Sequence, residues 1–219
     1  MDTQTQLVEI LSNGKKYKRV RGQVINTSSG INGFNLITSG FVKRYLIKPD
    51  GSLSVQSIYG PNNYFPINPV FEALYGFKVE ESDQFYYECV TPVVFHSIGL
   101  IKLIDTLDGY KGPELYKDLL AISGRRLQYH IHRLNNDALS SAYEKVAHQL
   151  SYLSNQFGLS TSDGIEIQMP LRHQDLADML NLSRETVSKQ LIKLHSSGAI
   201  HASRYITIVD RDKLEKIFF

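Results

Sequence analysis

Residues 181–200 read NLSRETVSKQLIKLHSSGAI. Val187, Leu191 and Leu194 stand at i, i+4 and i+7, one apolar stripe of an α-helix. Ser183 is placed to cap its start, because the hydroxyl accepts a first-turn backbone N–H that no carbonyl reaches. Gly198 supplies the left-handed residue that commonly follows a helix end. The remaining arc carries Arg184, Glu185, Ser188 and Lys189. What that arc touches decides what the chain is.

The flanking sequence gives it a context. Upstream, "RHQDLADML" reads as a short helix that ends at an Asn181 turn, and downstream "IHASRYITIVD" reads as a small hairpin. Before these, "LSTSDG" is a polar loop and "IEIQMPL" alternates like a short strand. Helix, strand, helix–turn–helix and hairpin, in that order, describe a winged helix-turn-helix. In a helix-turn-helix the second helix sets its N-terminal residues against base edges in the major groove of DNA. Arg184 and Lys189 carry donors for guanine O6 and N7, and Glu185 can accept from the cytosine amino group. Ser183 and Thr186 are short hydroxyl residues at a helix N-terminus, where donors suit a phosphate oxygen. His173 and Gln174 begin the preceding helix, in position to hold the backbone or an outer base pair. The competing reading is a solvated face. Glu185 and Lys189 are an i,i+4 pair worth only a few tenths of a kcal/mol on a helix.

Working outward, residues from about 15 to 105 read as strands: "GQVIN", "FNLIT", "GFVKRYLI", "LSVQSIY", "FYYECV" and "PVVFHSI", separated by turn signals. "KPDG" closes a hairpin, with Pro49 presetting one turn dihedral and Gly51 allowing another. Many short strands of this spacing predict a β-sandwich or roll. The pattern changes near Asp108, and Pro113 suits a helix start. From Pro113 to about Asn135, Leu120, Gly124, Leu127, Ile131 and Leu134 alternate spacings of four and three, a narrow coiled-coil seam. Such a stripe serves either packing on the chain's own strands or pairing with a second copy. Arg125, Arg126 and Gln128 flank a narrow seam rather than a broad face, which favours pairing. A second helix is expected from a cap at Asn136 or Asp137, with Ala138, Ala142, Val146, Leu150 and Leu153 on its apolar side, ending near Gly158.

Bulk properties narrow the classes. The 219 residues suit one large or two modest domains; 42% are hydrophobic and 21% charged, as in ordinary globular chains. A net charge of +2 does not by itself indicate a nucleic-acid partner, so local arrangement must carry that case. No apolar run approaches the roughly 18 residues of a membrane span, and without a basic stretch followed by a long apolar core near residue 1 no signal peptide is expected. Cys89 stands alone, so no internal disulfide forms and a reducing, cytoplasmic setting is expected. One thiol cannot supply the roughly four that an iron–sulfur cluster needs. Cys89 or His96 leaves haem ligation arithmetically open, but nothing positions a second ligand, and Cys89 suits a strand core better. A cupin-like metalloenzyme wants several histidines in the roll, and the first 129 residues contain only His96. His130 and His132, at i,i+2, point apart and make a poor metal pair. No catalytic, metal or cofactor site is therefore expected.

"QDLADMLNLSRETVSKQLIKLHSSGAI" closely resembles the DNA-binding segment of the cyclic-AMP receptor protein and fumarate–nitrate reduction regulator (Crp/Fnr) family. The Ser-Arg-Glu-Thr-Val core, with a basic residue four after the Glu, carries the resemblance. It implies an α+β fold: a cyclic-nucleotide-binding-like β-roll sensor over 1–108, a dimerisation helix over 109–136 and a winged helix-turn-helix over 137–219. It implies a homodimeric transcription regulator that binds double-stranded DNA at a palindrome of TGTGA-like half-sites. Arg184, Glu185 and Lys189 would be the base readers, and Ser183, Thr186 and Gln174 phosphate or edge contacts. The family usually has Arg where Lys189 stands, and Lys is a less geometrically specific partner for guanine. "STSDG" (160–164) occupies the loop that touches RNA polymerase in activating relatives.

The resemblance also sets expectations for the sensor. The cyclic-nucleotide branch holds its ligand's phosphate with a Gly-Glu-Leu stretch and a following Arg. Here Pro66 and Ile67 stand about where Gly and Glu belong, and Asp83, within "VEESDQ", near the expected Arg. A phosphate facing carboxylates without an Arg is repelled and unpaired, so cyclic nucleotides are not expected to bind in that manner. The aromatics Tyr59, Tyr64, Phe65, Phe71, Tyr75, Phe77, Phe85, Tyr86 and Tyr87 read mostly as roll core and scattered surface tyrosines. Tyr64, Phe65 and Tyr87, with His130 near where relatives place effector contacts, are candidates to line an apolar effector pocket. The effector itself is not named by the sequence. A regulator answering to cyclic nucleotide or haem, and an adaptor that kept the fold without DNA readout, are the alternatives.

Overall fold

Strand β3 (Gly33–Ser39) is buried on both faces, and the N-terminal half is assembled around it. The computed structural model describes residues 5–25, 33–66, 76, 85–109 and 113–218. Before β3 come helix α1 (Thr5–Ser12) and strands β1 (Lys15–Arg19) and β2 (Val24–Ile25). After it come β4 (Val42–Ile47), β5 (Leu53–Tyr59), β6 (Tyr64–Phe65), β7 (Tyr86–Cys89) and β8 (Val93–Gly99). They form two four-stranded sheets, ordered β1-β8-β3-β6 and β2-β7-β4-β5. Alternation along β3 sends Phe34 and Leu36 into one apolar cluster, with Ile10, Leu11, Ile98, Leu103 and Ile122. Ile37 goes to a second cluster, with Ile25, Val42, Phe65, Tyr87, Val93 and Phe95. This is the expected roll. The "KPDG" turn joins β4 to β5: Gly51 has φ of +80° and donates to the Lys48 carbonyl at 2.9 Å.

Helix α2 (Leu100–Gly109) occupies part of the stretch read from sequence as strands. Helix α3 (Pro113–Ala138) begins at the proline expected to start it. It has two unlike faces. Asp118, Ile122, His132 and Asn136 are buried, whereas Leu120, Leu127, Ile131 and Leu134 are 73%, 61%, 47% and 70% exposed. Gly124 lies in the exposed seam, and a Cβ placed there meets nothing within 4 Å.

The expected cap at Asn136 or Asp137 is a misreading. Helix α4 (Ala142–Phe157) starts later and is capped by Ser141. Ser141 Oγ accepts from the Glu144 N–H at 3.2 Å, and Glu144 Oε2 accepts from the N–H groups of Ser140 and Ser141, each at 3.1 Å. That capping box satisfies donors that an Asn136 cap would have left alone. Asn136 is instead spent inside, donating to the Lys145 carbonyl at 3.0 Å. The elbow 139–141 is thus three residues long, with Leu139 N–H also tied to the Asn136 carbonyl at 3.2 Å.

Strands β9 (Gly158–Thr161) and β10 (Gly164–Ile167), helices α5 (His173–Leu180) and α6 (Arg184–Ser196), strands β11 (Ile200–Ala202) and β12 (Ile206–Ile208) and helix α7 (Arg211–Glu215) complete the chain. The sheet order is β11-β12-β10-β9. "LSTSDG" is therefore mostly strand, not loop; Leu159, Ser160 and Thr161 pair with Glu166, Ile165 and Gly164 of β10. The chain divides into two compact units, one of Met1–Ile47 and Gln56–Leu127, the other of Lys48–Val55 and Gln128–Phe219.

Candidate nucleic-acid interface

The turn between α5 and α6 is built from its own sequence. Asn181 takes the left-handed conformation (φ 53°, ψ 41°) and donates its N–H to the Ala177 carbonyl. Leu182 N–H reaches the same carbonyl at 3.0 Å. Ser183 then caps α6, its Oγ accepting from Thr186 N–H at 3.1 Å. Val187, Leu191 and Leu194 are buried, as are Leu176, Ala177 and Leu180 of α5. Gly198 ends the motif with φ of +76°, as its position predicts.

The opposite arc faces out. Arg184, Glu185 and Lys189 are all exposed. No ion pair among the described residues ties up any of the three. The Glu185 carboxyl is held below its ordinary range, first by its own backbone N–H, then by the Ser183 hydroxyl. It is an anion at neutral pH, available as an acceptor.

Neighbouring polar residues are committed within the protein. Ser188 Oγ donates to the Arg184 carbonyl at 2.9 Å and contacts His173 Nδ1 at 2.7 Å. A hydroxyl has one hydrogen, so His173 must donate from Nδ1, which leaves Nε2 outward. Ser188 thereby braces α6 against the start of α5. Gln174 Nε2 donates to Asp178 at 2.7 Å, and Thr186 Oγ1 lies 2.9 Å from Ser183 Oγ. Arg204, in the turn between β11 and β12, is an exposed cation that sequence reading passed over. A basic residue between two short strands was the available signal. Lys193 is fixed by a different contact, 4.0 Å from the centre of the Tyr143 ring.

The effector candidates lie elsewhere. Phe65 and Tyr87 stack at 5.2 Å within the second roll cluster, and Tyr64 stacks on Phe34 at 5.5 Å in the first. The Tyr64 hydroxyl is buried and meets no hydrogen-bond partner among the described residues. Burial, then the Asp118 carboxylate, pushes its pKa up to about 12, against a smaller opposing pull from Arg125. His130 is exposed on α3, edge-on to Tyr129. Its neighbour His132 is buried between His148 and Tyr152, and burial lowers its pKa to about 4. Cys89 is in β7 and His96 in β8, on different sheets; burial raises the thiol to about 11. Ile67, Phe71, Tyr75, Phe77 and Asp83 fall outside the described residues, whereas Pro66 is described and buried. No helix of the described residues is long and apolar enough to cross a membrane.

A family model of the Crp-like helix-turn-helix domain matches residues 144–217. The chain is 31% identical over 155 residues to a global nitrogen regulator of Synechococcus elongatus, spanning 69% of this chain and 68% of that protein. It is 25% identical to a CRP-like cAMP-activated global transcriptional regulator of Mycobacterium tuberculosis, over 83% of this chain and 77% of the relative. Its fold is like that of FixK2 from Bradyrhizobium japonicum, with a TM-score of 0.73 at 19% identity over 93% of this chain and 96% of that one.

Proposed function

The chain belongs to the Crp/Fnr family of DNA-binding transcription regulators, and from that premise we propose that it acts as a homodimer on a palindrome of TGTGA-like half-sites. The reading is supported above all by the exposed arc of Arg184, Glu185 and Lys189 on a capped helix whose other side is buried. Arg184 and Lys189 donate to guanine, and Glu185 accepts from cytosine. Ser183, Thr186, His173 and Gln174 lie beside the phosphates, and Ser188 holds the reading helix in register. The seam of Leu120, Gly124, Leu127, Ile131 and Leu134 is the dimer contact, which sets two such helices about one turn of DNA apart.

In this scheme residues 1–108 sense, 109–136 pair and 137–219 read. The protein works in the cytoplasm as a regulator and not as an enzyme, and the β9–β10 turn is where RNA polymerase would meet it. A signal in the roll changes how the paired helices cross, which requires the signal to favour one of two states. That signal is not a cyclic nucleotide; saturating cyclic AMP should leave the melting temperature unmoved, and a rise would refute this point. An effector would find the Tyr64 hydroxyl, unpartnered among the described residues, to bond with. The central test is a gel shift on the palindrome. Arg184→Ala should weaken specific binding by about 1–3 kcal/mol, roughly 5- to 150-fold, and relax the preference at one base pair. Unchanged binding would leave an adaptor without readout.

A further inference from the structure

The half that reads DNA is not the half that carries the positive charge. Residues 137–219 hold nine Lys and Arg against ten Asp and Glu. Residues 15–21, Lys-Lys-Tyr-Lys-Arg-Val-Arg, hold five cations and no acid. Binding to duplex DNA draws most of its sequence-independent strength from cations that neutralise phosphates and release counterions. A reading domain with no net positive charge is poorly supplied for that task.

The structure makes these five cations available. β1 is the outer strand of its sheet, paired on one side to β8, whose residues Val93–Gly99 include no carboxylate. Lys15, Lys16, Lys18 and Arg21 are exposed and Arg19 half-buried. None of the five makes an ion pair among the described residues. Strand alternation puts Lys15, Tyr17 and Arg19 on one face and Lys16 and Lys18 on the other. Tyr17 stacks on Phe95 at 5.3 Å, and Lys15 and Arg19 each lie 5.4 Å from the Tyr17 ring. That anchored ring organises two of the cations, so less side-chain freedom is lost on binding.

We propose that β1 and the adjoining Arg21 form a second contact surface for duplex DNA, gripping its phosphate backbone without reading sequence. The assignment rests on the regulator reading in taking DNA, rather than an acidic protein, as the polyanion at hand. The two are separable by experiment. Binding is measured against salt on a mixed-sequence duplex of about 60 bp lacking the palindrome, using the full chain, the triple variant Lys16→Gln/Lys18→Gln/Arg21→Gln and Arg184→Ala. The triple variant should bind at least about tenfold more weakly, with the slope of log K against log salt reduced by about 0.9 for each phosphate no longer neutralised. The conservative triple Lys16→Arg/Lys18→Arg/Arg21→Lys should bind as the parent does, which separates charge from misfolding. Arg184→Ala should lose preference on a duplex that carries the palindrome, so the reading helix is judged on a different duplex. If the triple variant matches the parent in affinity and slope, or if the parent shows no salt-dependent binding, the proposal is overturned. Loss of binding to polyglutamate with duplex binding unchanged would also overturn it and assign the strand to an acidic protein.

Discussion

The two faces of α3 invert the usual rule. The face turned into the chain is largely polar, with Asp118, His132 and Asn136 buried beside Ile122. The face turned out is apolar, with Leu120, Leu127, Ile131 and Leu134 in solvent. A helix that needed only its own chain would be arranged the other way. The polar face is satisfied locally: His132 Nε2 lies 3.1 Å from Gln149 Oε1, and Asn136 donates to the Lys145 carbonyl. The apolar face is left uncovered by the described residues, and an exposed apolar stripe of this kind marks an interaction surface. The contrast teaches that one face fixes the helix within its own chain while the other is left open, the observation behind the proposed pairing with a second copy.

Breaking the outer face should have the largest effect. Burying a Leu contributes about 1.5–3 kcal/mol, so Leu127→Glu with Leu134→Glu should weaken self-association by about 100-fold or more. Sedimentation should then show monomers, with palindrome binding abolished in step. A variant that stays dimeric would refute the seam as the dimer contact.

The inner face should respond to acid instead. His132 is held neutral by burial, its pKa lowered to about 4 from an unfolded value near 6.5. The unfolded chain therefore takes up a proton that the folded chain refuses. Stability from this neutral, buried state is full above pH 6.5 and falls as pH drops through the window toward 4. The slope approaches about 1.4 kcal/mol per pH unit for one such group. His148, lowered by burial as well, adds in the same direction. His132→Leu should flatten the dependence of melting temperature on pH in that window, and an unchanged dependence would place the titration elsewhere.

Gly124→Ala is the smallest change and the sharpest discriminator between the faces. With open space around Gly124 in the single chain, Ala should stabilise α3 by about 1 kcal/mol. In a dimer whose backbones approach at that point, the added methyl should weaken association. Melting at low protein concentration and sedimentation should thus move in opposite directions; a gain in both would mean that the helices cross elsewhere.

How much could be read in advance depended on whether the signals were local. α6 was fully legible, because Ser183, Gly198 and the stripe of Val187, Leu191 and Leu194 all lie within or beside its own span. The α3–α4 boundary was misplaced because Ala138 fits an apolar repeat, while the Ser141–Glu144 box that decides the cap was overlooked. β1 is a strand with four cations in five residues, so no apolar alternation announces it; the β8 ladder and Tyr17 hold it. β9 has no buried residue and is likewise set by its ladder with β10. In the interface, the exposed arc was readable from periodicity. The His173–Ser188–Arg184 chain of hydrogen bonds was not, since it joins two helices across a turn. The His132 stack on His148 and Tyr152 was hidden for the same reason.

The three-residue elbow at 139–141 leaves no slack. Its three N–H groups are all engaged, by the Asn136 carbonyl and the Glu144 carboxylate. Such a joint behaves as a crank rather than a leash: a twist delivered to one rod is inherited by the next. In the proposed switch, lengthening it with glycines should leave both ends intact and the message between them undelivered.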